Sequence, residues 1–117
     1  MQILGRYSRF AKLGGEMISL TAVELRIAES KVLDNQEFAV TAVPDSSKGE
    51  RIVLLVKGDM DTEEISRNLR KSGIPPLMLP GSVFSVNEIP KLGSGKWDFP
   101  GMKKMAQELV DSKLQGR

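Results

Sequence analysis

Apolar and polar positions along this chain fall into blocks of different period, and the changes of period mark its elements. Ile52-Val53-Leu54-Leu55-Val56 is continuously apolar and largely β-branched, which predicts a strand covered on both faces. Glu37 to Val43 reads as a second strand, and the turn cluster Pro44-Asp45-Ser46-Ser47-Lys48-Gly49 between them makes the two neighbours. After Pro100 the period lengthens. Met102, Met105, Ala106, Leu109 and Val110 recur at i, i+3, i+4, i+7 and i+8, so a C-terminal amphipathic helix should pack on the sheet. A middle helix has the clearest punctuation. Asp61 suits its N-cap with Glu64 at N3, and Met60 and Ile65 suit a hydrophobic staple. Glu63 and Glu64 sit at its positive end, Arg67, Arg70 and Lys71 toward its negative end, and Gly73 supplies the stop.

A further helix is expected from Leu20 to about Ser30, with Thr21 to Glu24 as a capping box, Leu20 and Leu25 as its staple, and Val23 and Ile27 on its buried face. Ile74-Pro75-Pro76 calls for an extended connection. It leads to a third strand over Ser82 to Glu88, with Val83 and Phe84 on opposite faces. At the start, Gln2-Ile3-Leu4 reads as a strand already under way, as in an excised piece of a larger chain. Gly14-Gly15 lies between two strand-like runs and marks a type I′ hairpin, whose central residues need φ > 0. The fold class is therefore α+β: a small sheet of about three strands flanked by three helices, plus a separate N-terminal two-stranded hairpin.

Composition narrows the chemistry. The 117 residues suit one domain, and 40% hydrophobic content supports a folded core. No apolar run approaches the ~18 residues of a membrane span. With no Cys and no His, a Ser-His-Asp triad, an imidazole base and a usual zinc site cannot be built within this chain, and no metal ligands are assigned to it. The absence of disulfides agrees with a cytoplasmic location. The 17 basic and 15 acidic residues are dispersed, and six aromatics form no stacking platform, so nucleic acid is not an expected partner.

Candidate chemistry concentrates in Glu88 to Asp98, where apolar-rich flanks hold Gly93, Ser94 and Gly95 and present Lys96. The Walker A pattern fails there, because Pro90 replaces its first Gly and Trp97 replaces its Ser or Thr. An ammonium on a glycine-rich loop suits an anionic group. The plain alternative is a solvated surface lysine.

Pro90-Lys91-Leu92-Gly93-Ser94-Gly95-Lys96 resembles the P-K-T-x-S-G-K motif that closes the adenylate-forming enzymes, with Leu92 for Thr and Phe99 where Arg is common. Two more stretches resemble that family in the same order. Gly5-Arg6, Lys12, Gly15, Ile18 and Glu24 match its hinge motif G-R-x-D-x-x-I-K-x-x-G-x-R-I-x-x-x-E-I-E, with Ser8 at the hinge Asp. Ala42-Val43-Pro44-Asp45 with Gly49-Glu50 is similar to its P-D-x-x-x-G-E turn. Ala11 to Ser19 and Leu92 to Phe99 further resemble the synthetase portion of bacterial bifunctional acylglycerophosphoethanolamine acyltransferase/acyl-carrier-protein synthetases, with fatty acyl-CoA synthetases as the alternative.

The resemblance implies a small C-terminal domain that rotates against a large adenylation domain between acyl-adenylate formation and thiol transfer. Residues 1–19 would be hinge and hairpin, and 20–117 the α+β core with the lysine loop at 90–98. Lys96 would be the catalytic lysine, while Pro90, Gly93, Ser94 and Gly95 shape its loop. Gly14, Gly15 and Lys12 would border the pantetheine tunnel, and Ser8 would be the hinge. Arg6 would anchor the segment. ATP and magnesium would bind mainly on the adenylation domain. A fatty acid would be the substrate, with coenzyme A or the phosphopantetheine of acyl-carrier protein as acceptor. The full-length protein would be associated with the inner membrane. The rival expectation is a freestanding, non-catalytic binding module on the same fold.

Overall fold

The computed structural model describes residues 10–33, 36–45, 49–59, 61–93, 95 and 98–115. The expected strand at Gln2-Ile3-Leu4, Arg6, the hinge Ser8 and the staple residue Met60 lie outside them.

Among the described residues five strands form one mixed sheet: β1 (Phe10–Leu13), β2 (Glu16–Ser19), β3 (Phe38–Asp45), β4 (Gly49–Lys57) and β5 (Ser82–Val86). The central strand is β4. It pairs antiparallel with β3 from Phe38↔Val56 to Asp45↔Gly49, and parallel with β5 from Val53↔Ser82 to Lys57↔Val86. Among the described residues three α-helices accompany the sheet: α1 (Leu20–Ser30), α2 (Thr62–Lys71) and α3 (Phe99–Gln115).

Apolar parity along β4 explains the layers. Ile52, Leu54 and Val56 pack with Val23 and Ile27 of α1 and Ile65 and Leu69 of α2. Val53 and Leu55 pack on the other face with Met102, Ala106 and Val110 of α3. Val83 joins the first cluster and Phe84 the second, as their alternation requires. All five β4 side chains from Ile52 to Val56 are buried, which is why that run reads as uninterrupted. No helix among the described residues is long and apolar enough to cross a membrane.

Several boundaries differ from the sequence reading. The hairpin is not separate: Leu13 pairs with Gly49, so β1 continues the sheet along the edge of β4 that β5 occupies farther on. Helix α1 is capped by Ser19, whose Oγ accepts from the Ala22 N–H at 3.2 Å, and not by Thr21. Starting there makes Leu20 the first helical residue and turns it into the core beside Val23 and Ile27. Leu25 is 58% exposed and lies outside the core cluster that holds Leu20. With Ser19 as the cap, N3 is Ala22, so Glu24 lies beyond the capping-box position. Its Oε2 accepts from the Val40 N–H at 3.3 Å, covering a donor of the edge strand β3.

Pro44 and Asp45 belong to the β3 ladder instead of the turn, which an edge strand tolerates for proline. The third strand ends at Val86, before Glu88. Pro75 is extended, as expected, but a short 3₁₀ turn over Pro76–Met78 follows it. Asp61 caps α2 as read, accepting from the Glu63 and Glu64 N–H groups.

Candidate functional site

Contacts among the described residues close the neck of the lysine loop. Ile89, 2% exposed, plants the incoming chain in the core under α3. The Asp98 N–H donates to the Pro90 carbonyl at 3.1 Å, bringing the two ends of the loop together. Asp98 then starts α3: its Oδ1 accepts from the Gly101 N–H at 3.1 Å and its carbonyl from the Met102 N–H at 2.8 Å. A Cβ on Gly101 would lie 2.5 Å from Asp98 Oδ2, so only glycine leaves room for this cap. Inside the loop the Gly95 N–H donates to the Leu92 carbonyl at 2.9 Å, and Gly95 has φ +92°, a conformation glycine takes freely. Gly93 is exposed with nothing near its Cβ direction. Ser94, Lys96 and Trp97 lie outside the described residues.

Charge gathers at the base of this neck. Lys91 Nζ lies 2.7 Å from Glu37 Oε2, and Lys57 Nζ lies 3.8 Å from Glu37 Oε1 and 3.5 Å from Glu88 Oε2. The hydrogen bond from Lys91 holds the Glu37 carboxyl below the usual carboxylate range against the opposing effect of burial. The same bond raises Lys91 above the usual lysine range. The backbone beneath is fixed: the Lys57 N–H donates to the Glu37 carbonyl at 2.9 Å, and Gln36 Nε2 to the Lys57 carbonyl at 3.0 Å.

The hairpin occupies the other end of β4. Gly14 and Gly15 form its tip at φ +56° and +92°, the conformations a type I′ turn demands. Apart from each glycine and its chain neighbours, no atom of the described residues lies within 4 Å of a Cβ built on either, so among those residues the turn accounts for glycine. Lys12 steadies the hairpin through its backbone, its N–H donating to Glu50 Oε1 at 2.7 Å. Beside the tip opens a cavity of about 530 Å³ whose lining includes Leu13, Gly14, Glu50, Arg51 and the half-exposed Leu77. Arg51 Nη1 donates to Ser82 Oγ at 3.0 Å.

The hairpin meets β4 at Gly49, and the loop neck meets it at Lys57 through Glu37. Eight residue steps of ~3.3 Å separate them, roughly 26 Å. The fold thus brings Pro90, Gly93 and Gly95 together at one end, and Lys12, Gly14 and Gly15 at the other. Sequence reasoning missed Glu37, Asp98 and Gly101. An Asp before an early-helix Pro was a usable N-cap signal for Asp98. Glu37 had none, because only strand pairing carries it to Lys91. Among the described residues no group of three or more acidic side chains could hold a metal ion.

Residues 30–96 match the family described as AMP-binding enzyme C-terminal domain. The chain is 33% identical over 100 residues to the acetyl-coenzyme A synthetase of Pyrobaculum arsenaticum, covering 80% of this chain and 15% of that protein. It is 29% identical over 98 residues to surfactin synthase subunit 2 of Bacillus subtilis, covering 84% of this chain and 3% of that protein. The crystal structure of a Brucella canis acyl-CoA synthetase superposes with a TM-score of 0.74 at 25% identity, covering 91% of this chain and 20% of that one. The chain therefore spans a small fraction of the length of these relatives.

Proposed function

This chain belongs to the family of AMP-binding enzyme C-terminal domains, and from that membership we propose that it is the mobile small domain of an ATP-dependent acid:thiol ligase. The observation that carries the reading is the placement of two motif-bearing loops at opposite ends of β4, roughly 26 Å apart by strand rise. Each end would meet the adenylation domain in a different orientation, so one domain would serve two steps by rotation.

In the first step a carboxylate oxygen attacks the α-phosphorus of ATP, and the bond to pyrophosphate breaks. Negative charge gathers on the α-phosphate oxygens and shifts from the attacking carboxylate to the departing pyrophosphate. The ammonium of Lys96, carried on the necked loop, would stabilise that charge. In the second step a thiol sulfur attacks the acyl carbon and AMP leaves. Here the Gly14-Gly15 tip and the adjoining cavity would face the pantetheine arm. Support comes from the open space above both glycines and from a cavity of about 530 Å³, a size that suits a small-molecule arm. Magnesium neutralises phosphate charge in such chemistry; it would be held with the nucleotide on the adenylation domain.

Within the family, the stretches Ala11 to Ser19 and Leu92 to Phe99 favour a fatty acid as substrate and acyl-carrier protein as acceptor. Such an enzyme would work in phospholipid acyl recycling, fused to an acyltransferase at the inner membrane. Coenzyme A is the second acceptor to test, because relatives of this chain bear acyl- or acetyl-CoA synthetase names.

The test uses the full-length enzyme and times the two half-reactions separately. Lys96→Ala should slow carboxylate-dependent pyrophosphate exchange by about 10²–10³ and spare thiol transfer from preformed acyl-adenylate. Gly15→Leu should do the reverse, with unchanged thermal stability shown first because φ +92° strains any side chain. Equal loss of both half-reactions in both folded variants would overturn the two-ended reading.

A further inference from the structure

We propose that Glu37 is a positioning residue for the adenylation step, clamping the lysine loop to the C-terminal end of β4 through its ion pair with Lys91. The proposal rests on the functional reading above. Glu37 precedes β3 and belongs to no part of the lysine loop, yet both its carboxylate oxygens are engaged. Oε2 meets Lys91 Nζ at 2.7 Å and Oε1 faces Lys57 Nζ at 3.8 Å.

The clamp has a rigid side and a loop side. On the rigid side, the Glu37 carbonyl accepts from the Lys57 N–H, the Gln36 amide donates to the Lys57 carbonyl, and the Gly58 N–H donates to the Val86 carbonyl at 2.8 Å. These bonds tie Glu37 to β4 and β4 to β5. On the loop side, Lys91 directly follows Pro90, whose carbonyl closes the neck onto Asp98. Ile89 and Asp98 fix where the neck enters and leaves. Between those two anchors, the carboxylate of Glu37 holds the Lys91 side chain at 2.7 Å, adding a contact from outside the loop at the point where the chain departs.

Magnitude decides between a stabilising and a positioning role. Glu37 and Lys91 keep 31% and 40% of their side-chain surface exposed, so solvent screens the pair and its contribution to global stability is small. Catalysis is more demanding, since a shift of about 1 Å in a reacting group can cost on the order of 10² in rate. A contact too weak to matter for folding can therefore matter for where Lys96 is delivered.

The experiment measures pyrophosphate exchange, and thiol transfer from preformed acyl-adenylate, in the full-length enzyme. Glu37→Gln should lower kcat for exchange about tenfold with KM for ATP within twofold, leaving thiol transfer within twofold and the melting temperature unchanged. Lys91→Met should lose the same factor, the double variant should lose no more than either single one, and Lys91→Arg should recover most of the rate. Additive losses, equal loss in both half-reactions, or an unchanged exchange rate in Glu37→Gln would each overturn the clamp. Lys96→Ala in parallel separates the two readings. If it abolishes exchange while Glu37→Gln leaves the exchange rate unchanged, only the clamp falls; if it leaves exchange intact, the catalytic reading falls and the clamp with it.

Discussion

The backbone N–H of Lys12 donates to the carboxylate of Glu50 at 2.7 Å across 38 positions of sequence, and it ties the hairpin to the sheet beside the single register pair Leu13↔Gly49. An exposed hydrogen bond to a carboxylate of this kind contributes about 1 kcal/mol. Glu50→Ala should therefore raise the exchange rate of the Lys12 amide hydrogen about fivefold with little change in the denaturation midpoint. Glu50→Gln, which keeps an acceptor, should restore most of the protection. Unchanged exchange in Glu50→Ala would show that the Glu50 carboxylate does not hold the hairpin.

At the start of α3, Asp98→Ala should cost about 1 kcal/mol in chemical denaturation, the usual loss of an N-cap, while Asp98→Asn should be close to neutral. Gly101→Ala should not yield the gain expected of Gly→Ala in a helix, because its Cβ would sit 2.5 Å from Asp98 Oδ2 and drive the cap away. Finding Gly101→Ala more stable than the parent would refute this packing of the neck.

The two faces of β4 make an additivity prediction. Leu55 and Met102 share one cluster, whereas Leu54 lies in the cluster on the opposite face. Each truncation to Ala should destabilise by about 2–5 kcal/mol. Leu55→Ala and Met102→Ala should couple in a double-mutant cycle, while Leu54→Ala and Met102→Ala should add to within about 0.5 kcal/mol.

The pH dependence of the clamp follows from its two shifted groups. Glu37 is held below the usual carboxylate range, so its contribution is present above about pH 4.3 and is lost as pH falls through its lowered folded value. Lys91 is held above the usual lysine range, so its contribution is present below about pH 10.4 and is lost as pH rises through its raised folded value. The pair is thus intact throughout the neutral range. Carboxyl NMR titration should find Glu37 below ordinary glutamates, and Lys91→Met should move it upward; no movement would place the cause elsewhere.

Calorimetric titration of this chain alone with ATP should show no tight binding, because its motif loop supplies only Lys96 and a Lys91 already paired with Glu37, and the nucleotide pocket is expected on the adenylation domain. Low-micromolar affinity would instead favour a freestanding nucleotide-binding module.

Much of the fold was legible because local patterns and tertiary packing agree. The five-residue apolar run of β4, the Asp61 cap and the i, i+3, i+4 stripe of α3 each carry their burial in their own spacing. The glycines of the hairpin tip were legible for the same reason, since a type I′ turn constrains its own residues. Boundaries shifted where burial overrode local signals. Thr21 offered a cap, yet Leu20 gained more by entering the core from a helix started at Ser19. The motif residues of the lysine loop could be named from sequence, but not the bonds that close its neck.

What the sequence by itself determined is therefore the set of elements, the two motif-bearing loops and the family to which the chain belongs, because each is written in short-range spacing. Only the tertiary structure decided that the hairpin joins the main sheet, that the two loops sit at opposite ends of β4, and that Glu37 meets Lys91. Those are consequences of strand register and order, which bring distant residues within hydrogen-bond reach without leaving any periodic trace along the chain.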